Sequence, residues 1–168
     1  MERLKIDESD LGFAILSFGV SFLISNQIAG RILVPKFGTK KIMTIGLVII
    51  SFSNIILVSA PTYLILLLAH IPAGIGWGSS GPIGGIQAQL IERHSGKIIS
   101  PYYAMGFNIG IFIGGILAGF ILGNTMNPTF VFLILFFLSI IFFLIIYING
   151  LPKDLDFKGE GEKLKIPE

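Results

Sequence analysis

Long apolar blocks without charge set the first limit on this chain. Residues 42–60, 63–91, 101–123 and 130–149 contain no Asp, Glu, Lys or Arg, and residues 11–34 contain only Arg31. About 20 such residues, rising 1.5 Å each, cross the roughly 30 Å hydrocarbon core of a bilayer as an α-helix. The 168 residues are 53% hydrophobic and only 13% charged, whereas a soluble domain is about 25% charged. These features predict an all-α, polytopic membrane helix bundle with five transmembrane helices. A membrane β-barrel is disfavoured, because its strands are short and alternate apolar with polar residues.

The blocks divide the chain into a polar N-terminal segment (1–10), a transmembrane helical domain (11–150) and a charged tail (151–168). Ser9 or Asp10 is placed to cap the first helix, and Pro35 and Gly38 are expected to end it. Basic residues collect at alternate ends of the spans: Arg31, Lys36, Lys40 and Lys41, then Arg93 and Lys97, then Lys153, Lys158, Lys163 and Lys165. That end is expected to be cytoplasmic, which puts the C-terminus inside a cell membrane, the plasma membrane by expectation, and the N-terminus outside. A charged N-terminus outside, with no helix before it to carry it across, predicts a further helix upstream.

The third span holds an unusually polar stretch, His70 to Gln89, with an imidazole, an indole, two hydroxyls, two amides and many glycines. Such a helix is expected to face protein or a water-filled path. His70 is the only imidazole within a span, about 10 Å from the outer end at 1.5 Å per residue. An ionisable group at that depth is a candidate for proton or substrate coupling; the bland alternative is a neutral histidine bonded to a helix. Trp77 follows two turns later on nearly the same face and is a candidate to stack on a substrate, or else packs. Gln87, Asn26 and Asn108 are further cavity candidates, each set against a role as interhelical glue. Gly74, Gly78, Gly81 and Gly85 on the third span, and Gly106, Gly110, Gly115, Gly119 and Gly123 on the fourth, form stripes that let helix backbones approach closely.

Other classes are disfavoured. A net charge of +2 gives no reason to expect a nucleic-acid partner, and the lack of cysteine excludes disulfides and thiolate ligands. No second ligand accompanies His70, so no metal site is expected. There is no phosphate-binding glycine loop and no carboxylate pair within the spans, and the charged residues 1–10 are not expected to act as a signal peptide. Neither an enzyme nor a cofactor is expected.

Three stretches then point to one family. The loop Gly30-Arg31-Ile32-Leu33-Val34-Pro35-Lys36-Phe37-Gly38-Thr39-Lys40-Lys41 resembles the gating signature between helices 2 and 3 of the major facilitator superfamily, with Pro35 in place of its acidic residue. His70, Gly74 and Gly76 resemble the helix 4 pattern, with histidine where the family has arginine. Gly106, Gly115, Gly119 and Gly123 resemble the helix 5 spacing of its antiporters, with Phe120 at the proline position. The resemblance implies a fold in which this chain supplies helices 2 to 6 of twelve, in two six-helix halves. It implies transport of a small-molecule substrate by alternating access, with proton coupling as one option. The lipid bilayer and the missing transporter half are the implied partners. The rival readings are an inactive truncated product and a non-transporting membrane subunit or scaffold.

Overall fold

A computed structural model describes Leu4, residues 6–123 and residues 128–151. The tail beyond 151, the turn at 124–127 and part of the N-terminal segment, for which expectations were stated above, lie outside the described residues. Five long helices make up the described chain, and no strand occurs among the described residues: α1 (Glu8–Phe37), α2 (Thr39–Ser59), α3 (Tyr63–Ser95), α4 (Ser100–Gly123) and α5 (Pro128–Asn149). Among the described residues α1, α2 and α3 are each long and apolar enough to cross a membrane.

The helix ends follow local chemistry more than the limits of the apolar blocks. Asp7, not Ser9 or Asp10, caps α1. Its Oδ1 accepts from the Asp10 amide at 2.7 Å, and Asp10 Oδ2 accepts in return from the Asp7 amide at 3.3 Å. This reciprocal box extends the helix a turn before the apolar run begins. Pro35 does not break α1, contrary to the expectation from sequence. Residues Ala29–Leu33 widen into a π-helical turn in which the Val34 amide bonds the Ala29 carbonyl. Proline removes one N–H and crowds the preceding turn, and the wider turn just before it accommodates both effects. The break falls at Gly38, whose φ of +87° suits a residue without a side chain.

α3 is the central element, packed against α1 on one face and α2 on another, with α5 lying against α2. A small apolar core of Ala29, Val34, Ile42, Met43 and Ile83 forms at the end of the bundle that carries Lys36, Lys40 and Lys41, and Ile146 of α5 closes on it. α4 stands apart: all of its residues from 101 to 117 are exposed.

Candidate functional site

α3 grips each neighbour through a glycine. A Cβ on Gly74 would overlap the Phe18 carbonyl and Ser21 Oγ of α1, and one on Gly78 would overlap the Phe22 carbonyl. On another face Gly76 meets α2, where each of Gly46 and Gly76 would place a Cβ 2.8 Å from the other's carbonyl oxygen. A third contact, Gly84, lies under the Tyr103 ring of α4. Small residues let the backbones close to this distance. Hydroxyls add directed contacts, as Ser25 Oγ donates to the Ile75 carbonyl at 2.8 Å. Ser79 and Ser80 instead bond back to carbonyls of their own helix. The expected stripe therefore divides. Gly74 and Gly78 touch α1, whereas Gly81 and Gly85 meet nothing closer than the rings of Trp77 and Tyr103. Gly106, Gly110, Gly115 and Gly119 have open space around them, and Gly123 ends α4.

Beside those contacts lies a cavity of about 340 Å³ between α1, α3 and α4. Phe22, Trp77, Tyr103 and Phe107 wall it, with Gly81, Pro82, Ala104 and Asn108 completing the lining. Trp77 is 40% exposed, so its ring faces this space and is not packed away. Tyr103 and Phe107 stack with centroids 6.4 Å apart. The Tyr103 hydroxyl donates to the Gly81 carbonyl at 3.1 Å, fixing the ring beside Pro82. Asn108 Nδ2 donates to the Ala104 carbonyl of its own helix at 2.8 Å, which leaves its amide oxygen for another donor. The site is uncharged, aromatic on several sides and equipped with one amide. Ring faces of this kind can stack on flat apolar groups or lie against cations.

Of the candidates read from sequence, Trp77 and Asn108 come together here. Asn26 sits one turn beyond Phe22 on α1, its backbone pressed against Gly78. His70 lies two turns from Trp77 and outside the lining. It is half-buried, with Nδ1 2.8 Å from the Leu66 carbonyl of its own helix. Gln87 is buried at 7% exposure and donates from Nε2 to Thr39 Oγ1 at 3.0 Å, tying α3 to the start of α2. Tyr103, Phe107 and Phe22 were not singled out from sequence. Tyr103 and Phe107 form an i, i+4 aromatic pair on the glycine-rich fourth span, as Phe18 and Phe22 do on the first.

At the lysine-bearing end the residues around Gly38 form a cationic and aromatic group. Lys36 Nζ and Lys41 Nζ lie 5.3 Å and 5.2 Å from the Phe37 ring centroid, and Lys40 Nζ lies 5.6 Å from that of Tyr147. Arg31 and Gly30 are exposed on the π turn. Nearby, Glu92 joins α3 to α4. Its Oε1 accepts from the amides of Ile99 (2.6 Å) and Ser100 (2.8 Å), and its Oε2 from the Ser100 hydroxyl (2.6 Å). The carboxylate thus caps a helix that begins eight residues later. The Ser100-Pro101 pair marks that start in the sequence.

Comparison with known proteins agrees with this architecture. The sequence profile of the Major Facilitator Superfamily matches residues 1–167. Multidrug resistance protein 2 of Bacillus subtilis is 29% identical over 125 residues, covering 71% of this chain and 31% of that protein. Quinolone resistance protein NorA of Staphylococcus aureus is 29% identical over 123 residues, covering 73% of this chain and 29% of that protein. The chain thus spans less than a third of the length of these relatives.

Proposed function

Because the chain belongs to the major facilitator superfamily, we propose that it forms part of a secondary transporter. Its solute in this reading is a small lipophilic aromatic compound, neutral or cationic, carried across the plasma membrane by alternating access. The observation that carries the reading is the cavity walled by Phe22, Trp77, Tyr103 and Phe107, with Asn108 as its polar group. Rings bind flat solutes by stacking and cations by their faces, and a lone amide sets orientation without demanding charge. The drug-resistance names of the two relatives favour the same solute class and export as the direction.

In this reading the five helices correspond to helices 2–6 of a twelve-helix fold, and the remainder of the transporter supplies the opposite wall. The exposed length of α4 from 101 to 117 is the surface on which those helices seat. The lysine-bearing end is cytoplasmic, by the distribution of basic residues. His70, whose Nδ1 is engaged with Leu66, takes and releases the coupled proton on Nε2.

Trp77 is the only tryptophan, so its fluorescence reports on the cavity directly. Titrating the chain in micelles with a quinolone should quench it saturably. Asn108→Leu should weaken binding about threefold to tenfold, the worth of one hydrogen bond. If His70 couples the proton, binding should depend on pH and His70→Gln should flatten that dependence. Quenching that never saturates counts against a solute site and favours a non-transporting membrane subunit. A pH dependence unchanged by His70→Gln removes the coupling role.

A further inference from the structure

A second cavity, of about 430 Å³, opens between α2 and α5 at the lysine-bearing end. It is lined by Phe37, Gly38, Lys40, Lys41, Thr44, Ile45 and Tyr147 and shares no residue with the aromatic cavity. Two features define its chemistry. The walls are almost wholly apolar, built from rings, Ile45 and the methylene stems of the lysines, with Ile45 47% exposed. Three ammonium groups sit at this end, those of Lys36 and Lys41 each by the Phe37 ring and that of Lys40 by the Tyr147 ring.

The described acidic side chains leave these lysines uncompensated. Asp7, Glu8 and Asp10 belong to the opposite end of α1, and both Glu92 oxygens are engaged with Ile99 and Ser100. Gathering like charges is unfavourable, and an anion set among them relieves the repulsion. A free inorganic anion would satisfy the ammonium groups but gains nothing from an apolar groove. An amphiphile satisfies both. Lysine stems laid along apolar surface with charged heads at the rim, beside a tyrosine, match the level where lipid phosphates lie. The lining from Lys40 to Ile45 spans about 8 Å along α2, enough for a headgroup above and the start of an acyl chain below.

We infer that this groove binds one anionic phospholipid, its phosphodiester held by Lys40 and Lys41 and its chain laid against Ile45 and the Tyr147 ring. The lipid would clamp α5 to α2 at their shared end. It is a resident component of the protein, separate from any transported solute.

The chain in detergent is titrated with phosphatidylglycerol, with phosphatidylcholine of the same acyl chains and with inorganic phosphate, and retained ligand is counted by native mass spectrometry. One phosphatidylglycerol per chain should be retained in preference to phosphatidylcholine, and inorganic phosphate should neither bind nor compete. Each lysine near a lipid phosphate is worth about fivefold in affinity. Lys40→Gln with Lys41→Gln should therefore weaken retention roughly 25-fold, while the corresponding arginine pair retains the lipid. Tyr147→Ala, which leaves both charges in place, should also weaken it. Lys97→Gln, at the same end but outside the groove, should leave retention unchanged. Equal retention of phosphatidylcholine, competition by inorganic phosphate, or wild-type retention by the glutamine pair would each overturn the assignment.

Discussion

Replacing Gly76 with alanine should push α2 and α3 apart. An ideal Cβ there would stand 2.8 Å from the Gly46 carbonyl oxygen, 2.9 Å from the Ile50 amide nitrogen and 2.7 Å from Ile50 Cγ1. Ordinary non-bonded contacts settle near about 3.5 Å, so the crossing must open by several tenths of an ångström. Two of the three atoms are backbone and cannot rotate aside. Overpacking of this kind costs about 1–3 kcal/mol, while alanine gains about 1 kcal/mol over glycine in helix propensity. Gly85→Ala on the same helix supplies the control. Its Cβ would meet only Tyr103 Cε1, at 3.9 Å, so it takes the propensity gain without the overlap. The difference between the two variants isolates the overlap, about 1–3 kcal/mol against Gly76→Ala. Gly46→Ala strikes the same crossing from the other side. Once either alanine has opened it, the second finds room, so the double variant should lose less than the sum by about 0.5 kcal/mol or more. Equilibrium unfolding in mixed micelles, followed by circular dichroism, measures all four. A Gly76→Ala chain as stable as Gly85→Ala, or strict additivity at the crossing, would refute the argument.

Two further outcomes follow from named hydrogen bonds. A double-mutant cycle on Gln87→Met and Thr39→Val should give a coupling of about 0.6 kcal/mol, and at most about 1.7 kcal/mol, in the same unfolding assay; a coupling of zero would mean that the bond between α3 and α2 contributes no net stability. Glu92→Ala removes the three hydrogen bonds that cap α4, so the amides of Ile99 and Ser100 should exchange hydrogen about twofold to 30-fold faster, matching the 0.5–2 kcal/mol of a helix cap. Unchanged exchange at those two amides would show that the cap contributes little.

The helices were legible because burying charge in hydrocarbon is costly, and residues such as Arg93 and Lys97 fall only between the blocks. The family was legible because its signatures are local in sequence. What escaped depends on pairs of residues distant in the chain. Gly46 carries no signal of its own; it matters because Gly76 of another helix lies against it. Gln87 looks like a cavity amide until Thr39, 48 residues away, is seen to accept from it. Pro35 reads as a breaker under helix rules, and the π turn before it changes the outcome without any unusual residue to announce it. His70 and Trp77 share a face by periodicity, yet the half-buried imidazole bonds its own helix while the indole faces the cavity.

The joint at Glu92 also makes α4 a lever. The helix is anchored at its first turn by the Glu92 carboxylate and, one turn further, by the Tyr103 hydroxyl on Gly81. Its 24 residues extend about 36 Å from that anchor. A rotation of about 10° about the joint would sweep Gly123 through about 6 Å and shift the backbone at Tyr103 by less than about 1 Å. The arm is shortest where the helix borders the aromatic cavity and longest at the opposite end of the bundle. Motion of this kind would open or close the far end while displacing the cavity wall at Asn108, about 12 Å from the joint, by only about 2 Å.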